Sequence, residues 1–276
     1  MKKAILLSVI LLTTSFSKDL FELGLEAYNK GEFDKAAKQW QRGCNDGNID
    51  SCTNLGTLYE NGQGVAQDYN KAAALHKHAC DSEDATGCYN LGGFYERGQG
   101  VEQDYTKAVK LYKKACDGNV AQAYHNLGVL YINGHGVEKD YYKAAQLWQK
   151  ACSDKYSTSC YNLGILYNIG QGVKQDYYKA ADLYKQACDD GVSNSCSSLG
   201  ILYENGQGVK QDYSKSAELY EKACNNGYNR GCFNLGAFYL KGKGAKQDYH
   251  IAKEYFGKAC KLGFQSGCDF YKKLNE

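Results

Sequence analysis

Residues 160–195 read CYNLGILYNIGQGVKQDYYKAADLYKQACDDGVSNS, and nearly the same text returns when the chain is shifted by 36 residues. Each copy carries Leu-Gly, a tyrosine, a G-x-G loop, Asp-Tyr and a run that ends in Ala-Cys. A fixed period of this size predicts a solenoid, in which each repeat buries its apolar face only against its neighbours. The loop glycines recur at Gly62/Gly64, Gly98/Gly100, Gly134/Gly136, Gly170/Gly172, Gly206/Gly208 and Gly242/Gly244.

Each repeat has the residue spacing of two helices. Cys160, Leu163, Gly164 and Tyr167 fall on one face of a first helix. Asp176 is placed to cap a second helix, whose inward positions are small or aromatic. A glycine within a helix costs up to about 1 kcal/mol relative to alanine, so we expect Gly164 to permit close packing of the second helix. The pattern therefore predicts an all-α chain of helix pairs.

The repeats divide the chain into a signal peptide, residues 1–17, and a single α/α solenoid, residues 18–276. The first unit is shorter than the others and lacks the G-x-G loop. The last segment has Tyr271-Lys272 in place of Leu-Gly and is predicted to form a polar cap. The predicted units are 18–51, 52–87, 88–123, 124–159, 160–195, 196–231 and 232–267, followed by a cap helix at 268–276.

The first 17 residues have the pattern of an export signal. Lys2 and Lys3 precede a short apolar run, and Ser15 and Ser17 supply small residues before a cleavage site near Ser17-Lys18. The alternative is a membrane-anchored helix, although the run is short for a bilayer span. We therefore expect a secreted or periplasmic protein without a stable membrane anchor.

The charge excludes one class of partner. Residues 18–276 contain 31 basic and 31 acidic side chains. Proteins that bind nucleic acids carry a basic surface, so no nucleic-acid partner is predicted.

Twelve of the 13 cysteines form pairs eight residues apart, each at the junction between two helices. The short turn between antiparallel helices can bring such pairs within disulfide distance, and export would supply an oxidising compartment. Zinc is the alternative, but two thiols per turn do not complete a four-ligand site, so no metal is predicted. The predicted disulfides are Cys44–Cys52, Cys80–Cys88, Cys152–Cys160, Cys188–Cys196, Cys224–Cys232 and Cys260–Cys268.

Cys116 has no partner, because Tyr124 stands eight residues later. One interpretation is a buried small side chain at a helix end. The other is a reactive free thiol that forms an intermolecular disulfide.

The texts L-G-x-x-Y, G-x-G-V-x-x-D-Y and K-A-x-x-L-Y-x-K-A-C resemble the Sel-one-like repeat (SLR) family, relatives of the tetratricopeptide repeats. Repeated cysteines eight apart after a signal peptide are similar to the secreted Helicobacter cysteine-rich proteins. The resemblance implies a right-handed α/α solenoid superhelix. It also implies penicillin binding, weak beta-lactamase (hydrolase) activity, or action on host cells as a secreted antigen.

The residues themselves do not form a catalytic pattern. A serine beta-lactamase carries S-x-x-K with S-D-N and K-T-G. The single S-x-x-K, Ser15 to Lys18, straddles the predicted cleavage site, and the companion motifs are missing from the sequence. His76 and His78 are predicted to point to different helix faces. The catalytic residues of any hydrolase activity are therefore unknown, and no cofactor is predicted.

An asparagine recurs before most Leu-Gly pairs, with Ser198 in one repeat. In tetratricopeptide repeats, first helices line the concave face, and an asparagine at the matching position holds ligand backbone. By that resemblance the column is a candidate binding ladder; the alternative is hydrogen bonding within the solenoid. The predicted ligand-binding residues are Asn54, Asn90, Asn126, Asn162 and Asn234, with Tyr89, Tyr161 and Phe233 as stacking contacts and Ile165 as an apolar contact.

A second stripe of first-helix residues is apolar at its centre and charged at its flanks. Such a stripe suits a peptide or an apolar partner segment. The alternative is that the apolar residues pack helix against helix. The centre comprises Val129, Ile132, Ile165, Ile169 and Ile201, and the flanks comprise Glu60, Glu96, Arg97, Glu204 and Lys241.

Two functions remain. The first is binding of a peptide or a peptidoglycan fragment on the concave face, including a segment of a host or envelope protein. The second is weak hydrolysis of a beta-lactam, which rests on the resemblance alone.

Overall fold

The computed structural model describes residues 20–275. The predicted signal peptide, its cleavage site and Ser15 of the S-x-x-K motif lie outside the described residues. Residues 20–275 form helices joined by turns and contain no strand, which confirms the all-α class. Within that range, no helix has the length and apolarity needed to cross a bilayer. The chain divides into two compact units, whose described parts are residues 20–139 (unit 1) and 140–275 (unit 2).

Unit 1 contains seven described helices, and the odd-numbered ones are the first helices of the predicted pairs. Helix α1 covers residues 20–29. The others are α2 (Phe33–Asn45), α3 (Ile49–Asn61), α4 (Tyr69–Asp81), α5 (Ala85–Arg97), α6 (Tyr105–Asp117) and α7 (Ala121–Asn133).

Unit 2 contains eight described helices and continues the alternation of first and second helices. They are α8 (Tyr141–Ser153), α9 (Ser157–Ile169), α10 (Tyr177–Asp189), α11 (Ser193–Asn205), α12 (Tyr213–Asn225), α13 (Asn229–Lys241), α14 (Tyr249–Lys261) and α15 (Gln265–Lys273).

From α3 onwards, first helices start three residues before the position at which each predicted unit begins, which is a cysteine in every case except Tyr124. The cap helix likewise starts at Gln265 rather than Cys268. In α5 the start is fixed by Asp84, whose carboxylate accepts hydrogen bonds from the main-chain amides of Thr86 and Gly87. The cysteine therefore lies at the end of the first turn of its helix, where its side chain faces the preceding helix.

Gly164 shows why a glycine is kept in the middle of each first helix. A Cβ atom at this position would lie 2.7 Å from Cε1 of Tyr184 on α10. Tyr184 is 3% exposed, so its ring fills the space that the missing side chain leaves. The close packing that the sequence predicts thus offsets the low helix propensity of glycine.

The loop between paired helices is held by its glycines and by side-chain hydrogen bonds. Gly172 has a φ of +70°, and a Cβ atom there would collide with the main chain of Tyr141. The Gln175 side-chain amide donates to the carbonyl of Asn168 at 2.8 Å and to the hydroxyl of Tyr177 at 2.9 Å. Asp176 accepts from the amide of Lys179 at 3.1 Å, which confirms it as the cap of α10.

All six predicted cysteine pairs are disulfides in the structure, with Cα–Cα distances of 4.4–4.8 Å. Each joins the end of a second helix to the first turn of the next first helix. Cys116 is a free thiol and is buried.

Candidate functional site

The candidate site is a strip of first-helix side chains in unit 2 that second helices cover only in part. On α9, Leu163 and Gly164 are buried, and Asn162 and Ile165 lie to either side of them along the helix. We call this strip the first-helix face of unit 2. It comprises Tyr161, Asn162, Ile165, Ile169, Ser198, Ile201, Phe233 and Asn234.

The asparagines of this face have amides that are free to bind a ligand. Asn162 and Asn234 are half-buried, and their amide atoms are not among the buried polar atoms. Neither side chain makes a hydrogen bond to any residue within 20–275. An amide offers both a donor and an acceptor, so each position can pair with one peptide group of an extended chain.

The asparagines of unit 1 are of two kinds. Asn54 and Asn90 resemble Asn162, since neither hydrogen-bonds to another described residue. Asn126 instead donates through Nδ2 to the hydroxyl of Tyr112 at 3.2 Å. For Asn126 the structure therefore agrees with the predicted alternative of hydrogen bonding within the solenoid.

Sequence reasoning missed the network around Tyr112. Its hydroxyl donates to Oε2 of Glu96 at 2.6 Å, and its ring is fully buried. Burial and the neighbouring Glu96 carboxylate raise the pKa of Tyr112 far above its ordinary value. The sequence contained a signal of this network, because Glu96 and Tyr112 recur 108 residues later as Glu204 and Tyr220. The Tyr220 hydroxyl donates to Oε2 of Glu204 at 2.9 Å.

The predicted stacking residues pack partly into the protein. The ring of Tyr161 lies 5.8 Å from that of Tyr184, and burial raises its pKa. Tyr89 lies similarly against Tyr112 at 5.9 Å. Phe233 contacts three other phenylalanines at centroid distances of 5.1–5.6 Å. These rings are half-buried and support the first helices, which leaves only their edges for a ligand.

The isoleucines of the face differ in exposure. Ile165 packs against the core formed by Ala180, Ala181 and Tyr184. Ile169 is 49% exposed and Ile201 is 42% exposed. The central stripe is therefore core at Ile165 and open to solvent at Ile169 and Ile201. In unit 1, Val129 and Ile132 are half-buried.

The charged flanks are largely bonded to their neighbours. Glu60 pairs with Arg97 at 3.0 Å. Glu204 accepts from Tyr220 and pairs with Lys243 at 3.4 Å. These ion pairs partly compensate the carboxylates, so the stripe has fewer unpaired charges than the sequence suggests.

Four histidine and serine side chains within residues 20–275 do not form a reactive group; they are His76, His78, Ser195 and Ser216. His76 is fully buried against Phe94, whereas His78 on the same helix is exposed. Burial lowers the pKa of His76 to about 4. The hydroxyls of Ser195 and Ser216 are buried and donate to main-chain carbonyls at 2.9 and 2.8 Å. The side chains of His76, Ser195 and Ser216 are buried in the core and cannot reach a ligand in solvent.

Several known proteins are similar to this chain. The crystal structure of c5321, described as a protective antigen of uropathogenic Escherichia coli with an SLR fold, has a TM-score of 0.86 and 28% identity, and covers 94% of this chain and 56% of that protein. A Sel1 repeat protein from Oxalobacter formigenes has a TM-score of 0.80 and 31% identity, and covers 87% and 99%. The Helicobacter pylori protein named "Putative beta-lactamase HcpE" is 48% identical over 46 residues, which span 17% of this chain but only 13% of that relative.

The family model for the Sel1 repeat matches six consecutive segments, residues 49–84, 85–120, 121–156, 157–192, 193–228 and 229–264. Each matched segment starts at the observed beginning of a first helix and ends just before the next one. The match covers well over half of the chain and agrees with the solenoid structures above. The chain therefore belongs to the Sel1 repeat family.

Proposed function

We propose that this protein is a binding scaffold that holds an extended peptide segment of a partner protein on the first-helix face of unit 2. The observation that carries the proposal is the pair of unpartnered amides on Asn162 and Asn234. Their repeats are separated by a third, in which Ser198 supplies a hydroxyl at the same position. Asn162, Ser198 and Asn234 lie on three different first helices, α9, α11 and α13. A ligand that contacts all three residues must cross these helices, so it is extended rather than compact.

The apolar side chains favour a peptide with aliphatic or aromatic residues. Ile169 and Ile201 expose apolar surface on the same helices as Asn162 and Ser198. Burial of apolar surface contributes roughly 25 cal/mol per Å². The asparagines would then fix the backbone of the ligand, and the isoleucines would select its side chains.

A peptidoglycan fragment is a second ligand of this site, since its stem carries the same amide groups as a peptide. Its sugar rings would need exposed aromatic rings for stacking. Tyr161 and Phe233 are half-buried against Tyr184 and the phenylalanine cluster. This arrangement favours the peptide.

The disulfides indicate where the binding takes place. Six disulfides are typical of proteins outside the reducing cytosol. We propose that residues 1–17 direct the export, and that the partner is an envelope or host protein. Amino-terminal sequencing of the exported protein tests this: a start near Lys18 supports the proposal, and a retained Met1 contradicts it.

Selection from a random peptide display library tests the peptide-binding proposal. We expect the wild-type protein to enrich a family of peptides that Asn162→Ala/Asn234→Ala does not retain. Asn225→Ala is the matched control, because Asn225 is exposed at the end of second helix α12. Failure of the wild type to enrich any family, or equal enrichment by the double variant, would contradict the proposal.

Weak beta-lactamase activity is the alternative function, supported by the name of the Helicobacter pylori relative. A nitrocefin assay on purified protein separates the two functions. The peptide-binding account predicts no turnover above buffer. Turnover that persists in Asn162→Ala/Asn234→Ala would place a hydrolytic site outside the first-helix face.

A further inference from the structure

The amino-terminal helix presents an apolar side chain that every later repeat buries. Leu23 on α1 is 49% exposed. Its equivalents pack against the second helix of the preceding repeat and are 1–5% exposed; they are Leu55, Leu91, Leu127, Leu163, Leu199 and Leu235. Leu23 lies in a depression of about 600 Å³ that is also lined by Glu22 and Glu26. We call these three residues the amino-terminal end face.

The carboxy-terminal helices present aromatic and basic side chains. Phe270 and Tyr271 on α15 are 38% and 40% exposed. Lys272 occupies the position of the close-packing glycine, and it is exposed because no second helix follows α15 among the described residues. Lys253 on α14 replaces the small apolar residues that earlier second helices bury. We call Lys253, Lys258, Phe270, Tyr271, Lys272 and Lys273 the carboxy-terminal end face.

The two end faces have opposite charge. Glu26 pairs with Lys30 on the same helix. Glu22 forms no ion pair within residues 20–275, and neither do the four lysines of the carboxy-terminal end face. The net charge of each unit has the same sign as its end face. Residues 20–139 contain 12 basic and 16 acidic side chains, a net charge of −4. Residues 140–276 contain 18 basic and 14 acidic side chains, a net charge of +4.

We propose that the amino-terminal end face of one molecule binds the carboxy-terminal end face of a second copy. Leu23 would bury its exposed surface against Phe270 and Tyr271, and Glu22 would meet the lysines around them. The charges also decide against the two symmetric arrangements. Contact between two amino-terminal faces would oppose glutamates, and contact between two carboxy-terminal faces would oppose lysines, both of which are repulsive.

Such an interface is heterologous, because it joins two different surfaces. The resulting dimer still has one free face of each kind, so association proceeds beyond the dimer unless the assembly closes into a ring. The contact involves neither Asn162 nor Asn234, although Phe270 also packs against Phe233 of the first-helix face at 5.6 Å.

Sedimentation equilibrium tests the proposal on the exported protein over a concentration range that reaches about 1 mM, where even weak association is measurable. At about 0.1 M NaCl we expect the average mass to rise with concentration beyond that of a dimer. At about 1 M NaCl, where the Debye length falls from about 10 to about 3 Å, we expect a shift towards the monomer. A monomer at every concentration in low salt would overturn the proposal.

Two variants with one damaged face each give the sharper test. Leu23→Lys damages the amino-terminal end face, and Lys272→Glu/Lys273→Glu damages the carboxy-terminal end face. Each variant alone is expected to be monomeric, whereas their mixture is expected to associate through the two intact faces. Lys174→Glu/Lys210→Glu, which changes two exposed loop lysines, is the control and should assemble like the wild type.

A variant that still self-associates alone, or a mixture that remains monomeric, would overturn the proposal. Glu22→Lys provides a second amino-terminal variant that leaves Leu23 in place. It should behave as Leu23→Lys does, and unchanged self-association of this variant would also count against the interface.

Discussion

The phenol of Tyr124 donates a 2.7 Å hydrogen bond to the carbonyl oxygen of Cys116. The two residues are eight apart, as are the partners of all six disulfides. The hydrogen bond thus joins α6 to α7 at the junction where the covalent bond is missing. A hydrogen bond of this kind contributes about 1 kcal/mol, whereas closing so short a loop with a disulfide contributes about 2.5 kcal/mol in the chain-entropy model.

Tyr124→Cys should therefore form a seventh disulfide with Cys116. The oxidised variant is expected to exceed Tyr124→Ser in the free energy of unfolding by about 2.5 kcal/mol, as measured by urea denaturation. Tyr124→Phe, which lacks only the hydroxyl, should be about 1 kcal/mol less stable than the wild type. Two titratable thiols in the unfolded Tyr124→Cys chain would contradict the expected pairing.

The wild-type Cys116 thiol should be unreactive in the folded protein. Cys116 is 8% exposed, and burial, assisted by the neighbouring Asp117 carboxylate, raises its pKa to about 12. The reactive species is the thiolate, so labelling by iodoacetamide at pH 8 is expected only after unfolding. Rapid labelling of the native protein, or a dimer on a non-reducing gel that Cys116→Ser removes, would favour the reactive-thiol interpretation instead.

Much of the repeat could be predicted from the sequence, because each position has the same neighbours in every copy. Gly164, Asp176 and the cysteine pairs follow from the 36-residue period and from helix geometry alone. Asn126 could not be distinguished from Asn162 in this way. The amide of Asn126 is hydrogen-bonded because the preceding second helix carries Tyr112, whose hydroxyl lies 3.2 Å away. The equivalent residue before Asn162 is Trp148, which has no hydroxyl.

His76 is a second position whose surroundings the sequence analysis did not predict. Its column holds a large ring in every other repeat, namely Trp40, Tyr112, Trp148, Tyr184, Tyr220 and Phe256. His76 is fully buried, and neither of its ring nitrogens has a hydrogen-bond partner. Gly56 makes room for the ring, since a Cβ atom there would lie 2.7 Å from Cε1 of His76.

His76→Phe should stabilise the protein, and more strongly in acid. Burial lowers the pKa of His76 to about 4, although the Asp84 carboxylate opposes the shift. Between pH 6.5 and 4 the unfolded chain binds a proton that the native histidine does not. The free energy of unfolding therefore falls as the pH drops through this window, by about 3 kcal/mol for this one group.

Urea denaturation of both proteins at pH 7 and pH 4.5 measures this effect. At pH 7 we expect a gain of about 1–3 kcal/mol for His76→Phe, because the variant has no unpaired ring nitrogens. At pH 4.5 the gain should be larger. The comparison isolates His76 from other groups that titrate in acid, among them His125. An equal difference at the two pH values would contradict the assigned shift.

Ile165 and Ile201 occupy the same column, and their serine variants should differ in stability. Ile165→Ser is expected to lose about 1–3 kcal/mol, because it removes apolar contacts to the core around Tyr184. Ile201→Ser should change the free energy of unfolding by less than about 0.5 kcal/mol, since its side chain is largely in solvent. Thermal denaturation of the two variants checks this, and equal losses would mean that Ile201 also belongs to the core.

The central claim is that Asn162 and Asn234 hold the backbone of a peptide. The most direct test is calorimetric titration of a peptide obtained by the display selection into the wild type, Asn162→Ala, Asn234→Ala and Asn225→Ala. Loss of a ligand hydrogen bond costs about 1 kcal/mol or more, so we predict that Asn162→Ala and Asn234→Ala each raise the Kd roughly tenfold. Asn225→Ala should bind like the wild type. An unchanged Kd in both face variants would contradict the claim.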